Sequence, residues 1–175
     1  NTHDAKLIIR CCVGASGVYS SLGKSDSSLL FLNKALPIAE NNPDKYVKYL
    51  KTIYNNLGLV YRSKKEYSKA IYYYKKSLEI KQASNDIQGM VNAYMNIGSA
   101  FQNNSMFDSA YYYGYLSLEL ANKYNLTNDV LAAKGNTASA LVNLKRTKEA
   151  LIILKGVEQE AFERIERKVL ITCYE

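Results

Sequence analysis

Asn56, Asn96 and Asn136 stand forty residues apart in a chain of 175. Each carboxamide carries two N–H donors and a carbonyl acceptor, equipment for holding polar partners rather than for breaking bonds. Residue types that break bonds are scarce. The single histidine, His3, lies at the extreme N-terminus, which argues against a histidine-based triad or a multi-histidine metal site inside a fold. The chain has no phosphate-binding glycine loop, no H-E-x-x-H and no nucleophile with a histidine to activate it. Glu149, Glu158, Glu160, Glu163 and Glu166 alternate with Lys148, Arg164 and Arg167, the pattern of a solvated helix face. Cys11 and Cys12 are adjacent and pair only with strain, and with Cys173 the total is odd. All three are expected to be small core residues. No catalytic residue, cofactor or metal ligand is therefore expected.

Charge is uneven along the chain. Residues 51–90 hold eight Lys+Arg and three acids, residues 91–130 one and three, within an overall charge of +7. Lys64, Lys65, Lys69, Lys75, Lys76 and Lys81 cluster around Tyr72, Tyr73 and Tyr74. Basic residues interleaved with aromatics suit nucleic acid. The cluster contains no arginine, so the favoured expectation is a solvated lysine face with Tyr74 buried. Hydrophobic residues make up 47% of the chain, against nine Gly and two Pro, which excludes a disordered chain and a turn-rich β fold. The longest apolar run, Ala150 to Leu154, falls far short of the roughly 18 residues of a membrane span, so no membrane contact is expected. The sequence opens on Asn1 without a signal-peptide pattern, which suggests a piece of a longer protein.

The elements that carry these residues follow from an internal repeat. At a shift of forty, Tyr54, Leu57, Gly58 and Tyr61 fall on Tyr94, Ile97, Gly98 and Phe101. Tyr67, Ala70, Ser77 and Leu78 likewise fall on Phe107, Ala110, Ser117 and Leu118. A weaker fourth copy keeps Ala138, Leu141 and Ala150, and a first copy containing Cys12, Ser16, Ser28, Leu32 and Ala35 fits at a spacing of 42. Each copy reads as two amphipathic helices joined by a short polar turn such as Ser63 to Glu66. Asn42 is expected to N-cap a helix with Pro43 in its first turn, and Asn85-Asp86 and Thr127-Asn128-Asp129 to start the next two copies. Gly58, Gly98 and Ala138, with Ala70, Ala110 and Ala150, are expected at close helix crossings. Pro37 is expected to kink or shorten its helix.

The patterns Tyr54-x-x-Leu57-Gly58-x-x-Tyr61…Ala70-x-x-x-Tyr74 and Tyr94-x-x-Ile97-Gly98-x-x-Phe101…Ala110 resemble the tetratricopeptide repeat family. Tyrosine stands where that family usually has tryptophan, Gly114 where an aromatic is usual, and the period is forty rather than 34. Gly114 should leave a gap for Tyr113 or Tyr115 to fill. The resemblance implies an all-α fold, a right-handed α-solenoid of antiparallel helix hairpins forming one domain over 1–175. Its repeats would occupy about 9–50, 51–90, 91–130 and 131–170, with 171–175 starting a truncated fifth.

The same resemblance places ligand-facing positions on the exposed side of each first helix. In this sequence they are Arg10, Val13 and Gly17, then Thr52, Asn55, Asn56, Leu59 and Arg62. The third copy supplies Asn92, Met95, Asn96, Ser99, Gln102 and Asn103, and the fourth Ala132, Gly135, Asn136, Ser139 and Asn143. Asn56, Asn96 and Asn136 would then form a row of amides along the groove, suited to an extended peptide backbone; alternatively they bond neighbouring helices to one another. Only Arg10 and Arg62 supply positive charge, so the lysine-rich clamp used on acidic chaperone tails is not expected. The expected activity is protein or peptide binding in this groove, as the input segment of a larger bacterial signalling protein. Compartments consistent with that are the periplasm, for a sensor, and the cytoplasm. The alternatives are a stand-alone assembly scaffold, or a nucleic-acid binder using the lysine cluster. The apolar Val169, Leu170 and Ile171 suggest a homodimer through the truncated C-terminal helix.

Overall fold

The computed structural model describes residues 2–155, all of them in helices or the short turns between helices. In order these are α1 (Thr2–Ser21), α2 (Ser25–Glu40), α3 (Pro43–Ser63), α4 (Tyr67–Ala83), α5 (Ile87–Asn103), α6 (Phe107–Lys123) and α7 (Thr127–Asn143). Residues 147–155 open α8. Each helix packs on the next, and α1 also on α3 and α5 on α7, so the chain is an all-α solenoid of stacked hairpins. The remainder of the fourth copy, Cys173, the Glu158 to Glu166 face, the apolar Val169 to Ile171 segment and the truncated repeat at 171–175 lie outside the described residues.

The turns explain why helices of 17 residues recur so regularly. Lys65, Asn85, Ser105, Asn125 and Lys145 all adopt positive φ, between 51° and 62°, and they are spaced every twenty residues. Around each, the residue after it donates its backbone N–H back across the turn, as Glu66 does to the Tyr61 carbonyl at 2.9 Å and Asp86 to Lys81 at 2.9 Å. Such a closure satisfies the last carbonyls of one helix and reverses the chain in three residues. Turns within a repeat and between repeats are thus alike, and the length of the repeat resides in its helices. The α1–α2 turn does the same with Gly23. Among the described residues, the α2–α3 joint, at Asn41 and Asn42, is the one that lacks a left-handed residue.

Helix starts depart from expectation. Asn42 occupies the N-cap of α3, with Pro43 in the first turn, but its side chain makes no capping bond; α3 instead bends at Tyr46, whose φ and ψ are −111° and 16°. Leu126, rather than the Thr127 to Asp129 segment, is the N-cap of α7. Asp86 does cap α5, accepting the Gly89 N–H at 3.0 Å. At α7 the preceding left-handed Asn125 already aims the chain, so a side-chain cap is dispensable there. For the same reason of local adequacy Pro37 does not end its helix early: α2 runs on to Glu40, past the lost N–H.

The hairpins are held by a repeating set of contacts. Ile53, Leu57 and Val60 of α3 and Ile97 and Ala100 of α5 are buried, each larger side chain contributing roughly 1.5–3 kcal/mol. Tyr73 stacks on Tyr61 with ring centroids 5.4 Å apart, and Tyr113 on Phe101 at 5.5 Å, the same clamp forty residues on. Ser77 and Ser117 donate from the second helix to the carbonyls of Lys51 and Val91 in the first, at 2.7 and 3.3 Å. Ala70, Ala110, Ala138 and Ala150 are all buried, as are Gly58 and Gly98. Gly114 leaves no gap for a tyrosine. A Cβ there would lie 2.9 Å from the Thr137 hydroxyl, because α7 closes onto α6 at that point, while Tyr113 keeps its place in the aromatic clamp. Cys12 is buried but Cys11 is exposed, since neighbours in a helix point some 100° apart, so only one of that pair is a core residue.

Candidate functional site

The first helices α3, α5 and α7 carry the carboxamides, and the side chains there fall into two groups. One group ties helix to helix. Arg62 donates to the Ser99 hydroxyl at 3.3 Å, and Gln102 to the Ser139 hydroxyl at 2.5 Å. Asn143 donates to the Ser139 carbonyl at 2.9 Å within its own helix. Asn96 reaches the Asn55 carbonyl oxygen at 3.5 Å, the outer limit of a hydrogen bond.

The other group keeps its donors available. Among the described residues, Asn56 and Asn136, both half-buried, and Asn92 and Asn103, both exposed, make no side-chain hydrogen bond. Met95 is half-buried against the Val91, Ala121 and Val130 cluster, flooring the face with apolar surface. Arg10 and Gly17 are exposed on α1 and Val13 is half-buried. Thr52 and Leu59 are half-buried, and Ala132 and Gly135 exposed, with open space around Gly135.

A cavity of about 380 Å³ opens between α3 and α5. Thr52, Asn55, Asn92, Met95 and Asn96 line it from the two helices. So do Lys51, Lys81 and Gly89, which the sequence pattern alone did not bring to the groove. Lys51 forms a 2.6 Å ion pair with Asp86. The bond from Lys51 and the Gly89 N–H hold the Asp86 carboxyl below its usual range. A Cβ on Gly89 would lie 2.5 Å from an Asp86 oxygen, so a larger residue there would push the carboxylate aside. Lys81 reaches the groove from α4, with only 7% of its surface exposed. Burial pushes its ammonium pKa down, Lys51 adds to that, and the field of Asp86 partly offsets it. The groove is thus not limited to Arg10 and Arg62 for cations: Lys81 comes from a second helix, outside the first-helix pattern, and Lys51 from a position of α3 that the pattern did not include.

The missed residues were visible in the repeat itself. Lys51, Lys81 and Asp86 occupy the positions of Val91, Ala121 and Leu126 one repeat later. There those three pack together as an apolar seam beneath α5 and α7, with Val91 and Ala121 fully buried. One repeat earlier the matching residues are Ile9, Ala39 and Tyr46, again buried together. The outer seams draw first helix onto first helix, whereas α3 and α5 stand further apart around the charged one. The signal was a break in column chemistry, apolar–charged–apolar.

The remaining lysines of the cluster do not form one open basic face. Lys64 pairs with Asp26 at 2.5 Å, Lys69 with Glu66 at 2.6 Å and Lys76 with Glu79 at 3.8 Å. Lys69 also lies over the Tyr61 ring and Lys75 over Phe101 and Tyr113. Tyr74 is fully buried, as expected, while Tyr72, Tyr112 and Tyr115 are exposed. Among the described residues no cluster of metal-ligating side chains occurs, and no helix is long and apolar enough to cross a membrane.

Residues 13–83 match the tetratricopeptide repeat family model. Residues 13–83 carry tetratricopeptide repeats. Solved structures agree on the fold. The apo form of RapI superposes with a TM-score of 0.82 at 20% identity, covering 93% of this chain and 58% of that one. The signal transduction ATPase with a tetratricopeptide repeat sensor from Pyrococcus horikoshii gives 0.82 at 17% identity, over 91% of this chain and 25% of that one. Aspartyl phosphate phosphatase F from Bacillus subtilis gives 0.77 at 17% identity, over 91% and 41%. The chain therefore spans less than two thirds of each of these proteins. None of the curated protein sequences compared with the chain matches it. Tetratricopeptide repeats are in general protein-interaction scaffolds without chemistry of their own.

Proposed function

We propose that this repeat array binds an extended peptide or protein segment along α3, α5 and α7, gripping its backbone through the carboxamides of Asn56, Asn92, Asn96 and Asn136. The observation that carries the reading is that Asn56 and Asn136 are half-buried and make no hydrogen bond to the described residues. A half-buried carboxamide without a partner loses free energy that a bound backbone amide would restore, typically about 1 kcal/mol per bond. A row of such groups at one-repeat spacing fits main-chain recognition, which tolerates many side-chain sequences. Arg62, Ser99, Gln102 and Ser139 hold neighbouring first helices in register and so set the spacing of the row. Asn55, Met95, Asn103 and Asn143 complete the face as rim and floor.

Within a longer protein the array would act as an input segment. The Pyrococcus protein, in which tetratricopeptide repeats are described as a sensor, motivates that role. Peptides selected on the intact chain from a random library test the reading. The expected result is binding that changes little between 50 and 200 mM salt and weakens roughly tenfold or more in the Asn56→Ala/Asn96→Ala variant at unchanged melting temperature. A stability loss equal to the binding loss would assign the amides to structure instead. Selective capture of RNA or DNA, collapsing steeply over the same salt range, would move the function to the lysine-bearing helix.

A further inference from the structure

We propose that the outward face of α1 is a self-association surface, on which a second copy of this chain docks its own α1 in antiparallel orientation about a two-fold axis. One side of α1 is already committed: Ile9 and Cys12 are buried with Leu32, Leu50 and Ile53, where α1 packs on α2 and α3. The opposite side carries Leu7, Cys11, Gly14, Ala15, Val18 and Leu22 at helical spacing. Leu7, Val18 and Leu22 are 49–62% exposed, Cys11 is exposed, and a Cβ on Gly14 would have nothing within 4 Å. Single exposed apolar residues are ordinary, but a continuous stripe of them along one helix is a contact surface. One repeat on, at the spacing of 42, the Cys11 and Val18 positions are held by Ile53 and Val60, both buried under the preceding hairpin. The face is therefore of the kind that packs on a helix.

Two features commit that face to a second copy. The first is symmetry. Leu7 and Leu22, Cys11 and Val18, and Gly14 and Ala15 are placed evenly about the midpoint between Gly14 and Ala15. A two-fold contact needs such a self-complementary patch, in which each residue meets its counterpart twice. Antiparallel pairing sets Leu7 on Leu22 of the second copy and Cys11 on its Val18, while the two small residues at the centre let the helices approach closely. The second feature is charge. Asp4 and Lys24 are exposed at opposite ends of the stripe, and neither makes an ion pair among the described residues. Antiparallel pairing brings Asp4 of each copy to Lys24 of the other and closes both ends with opposite charges. Parallel pairing would set like against like. The stripe is roughly 27 Å long, which is small for a specific interface, so the dissociation constant is expected on the order of 10–100 µM.

Sedimentation equilibrium of the intact chain, reduced and at roughly 5 to 500 µM, tests for the dimer. Val18→Glu, at an exposed position, should raise the dissociation constant at least about tenfold at an unchanged melting temperature. Lys24→Glu should weaken association roughly two- to fivefold at low salt, and Asp4→Lys/Lys24→Glu should restore it. Orientation is read from Val18→Cys, which sets a thiol opposite Cys11 of the second copy at disulfide range. Mild oxidation is expected to give a covalent dimer in which mass spectrometry finds Cys11 joined to the introduced thiol, and adding Cys11→Ser should abolish it. A chain that stays monomeric throughout overturns the proposal. So does a dimer that survives Val18→Glu, which would place self-association on another face, or a charge swap that restores nothing. Linkage of Cys11 to Cys11 alone would overturn the antiparallel arrangement. Peptide binding in the groove should be indifferent to Val18→Glu, so this proposal and the groove reading stand or fall separately.

Discussion

The ring of Tyr74 lies flat against Gly58: a Cβ on that glycine would sit 2.4 Å from the Tyr74 Cδ1. The two residues hold α3 and α4 at the separation that the rest of the repeat assumes. At the matching place one repeat on, Gly98 meets backbone, its Cβ position being 3.3 Å from the Ala110 carbonyl and 3.5 Å from the Gly114 nitrogen. An aromatic wedge in one hairpin is thus replaced by direct approach of backbones in the next.

That difference makes the two glycines respond differently to one methyl group. Gly58→Ala must displace a fully buried ring and is expected to destabilise by about 1–3 kcal/mol. Gly98→Ala needs a shift of only tenths of an ångström, partly offset by a helix-propensity gain of up to about 1 kcal/mol, while Gly98→Leu should overpack and cost about 1–3 kcal/mol. Urea melts of the three variants check the order, and equal losses for the two alanine variants would contradict it.

Tyr74 carries a second consequence. Its hydroxyl is buried without a hydrogen-bond partner among the described residues, so Tyr74→Phe should be neutral or stabilising by up to about 1 kcal/mol. Burial pushes the Tyr74 pKa up to about 12, against the reference of 10.0. A group whose folded pKa is raised contributes stability that is present below the unfolded value and lost as pH rises through the folded one. Stability should therefore fall between about pH 10 and 12, and Tyr74→Phe should flatten part of that fall in a pH series of urea melts.

The positive-φ turns offer a gain. Ser105 is held at φ 57° in the α5–α6 turn, where an L side chain is strained. Ser105→Gly relieves a penalty of roughly 1–2 kcal/mol and costs some unfolded-state entropy, so a net stabilisation of about 0.5–1 kcal/mol is expected. Gly23→Ala, at φ 71° in the corresponding α1–α2 turn, should lose a similar amount. Thermal melts of both should move in opposite directions.

Much of the architecture was legible because it is periodic. Tyr54/Tyr94, Gly58/Gly98 and Ala70/Ala110 reported the hairpin and its crossings directly, since packing at a crossing tolerates only small residues. The left-handed turns were harder to read, because Lys65, Ser105 and Lys145 are not the residues that favour positive φ. The cap was overestimated at Thr127 for the related reason that its left-handed turn leaves little for a cap to do, whereas at Asn42, which has no such turn, α3 bends at Tyr46 instead. In the groove, the carboxamides were visible at forty-residue spacing, but Lys81 was not. It belongs by sequence to a helix of solvated lysines, and only the packing of α4 beneath α3 and α5 brings it inward.

The charged seam is expected to add little to stability. Replacing Lys51, Lys81 and Asp86 by the Val, Ala and Leu of the next repeat removes a partly exposed ion pair and a lysine whose stem is largely buried. The triple variant is expected to be neutral or more stable, by on the order of 1 kcal/mol, in urea melts. A large destabilisation would mean that the charges hold α3 and α5 together, contrary to the comparison of the three seams.

The most direct test of peptide binding along the amide row is the side-chain NH₂ spectrum of the ¹⁵N-labelled chain, titrated with a peptide selected on it. The account predicts that the Asn56, Asn96 and Asn136 signals shift together and saturate at the same peptide concentration. Shifts confined to the exposed Tyr72, Tyr112 and Tyr115 surface, with the three amides unmoved, would contradict it.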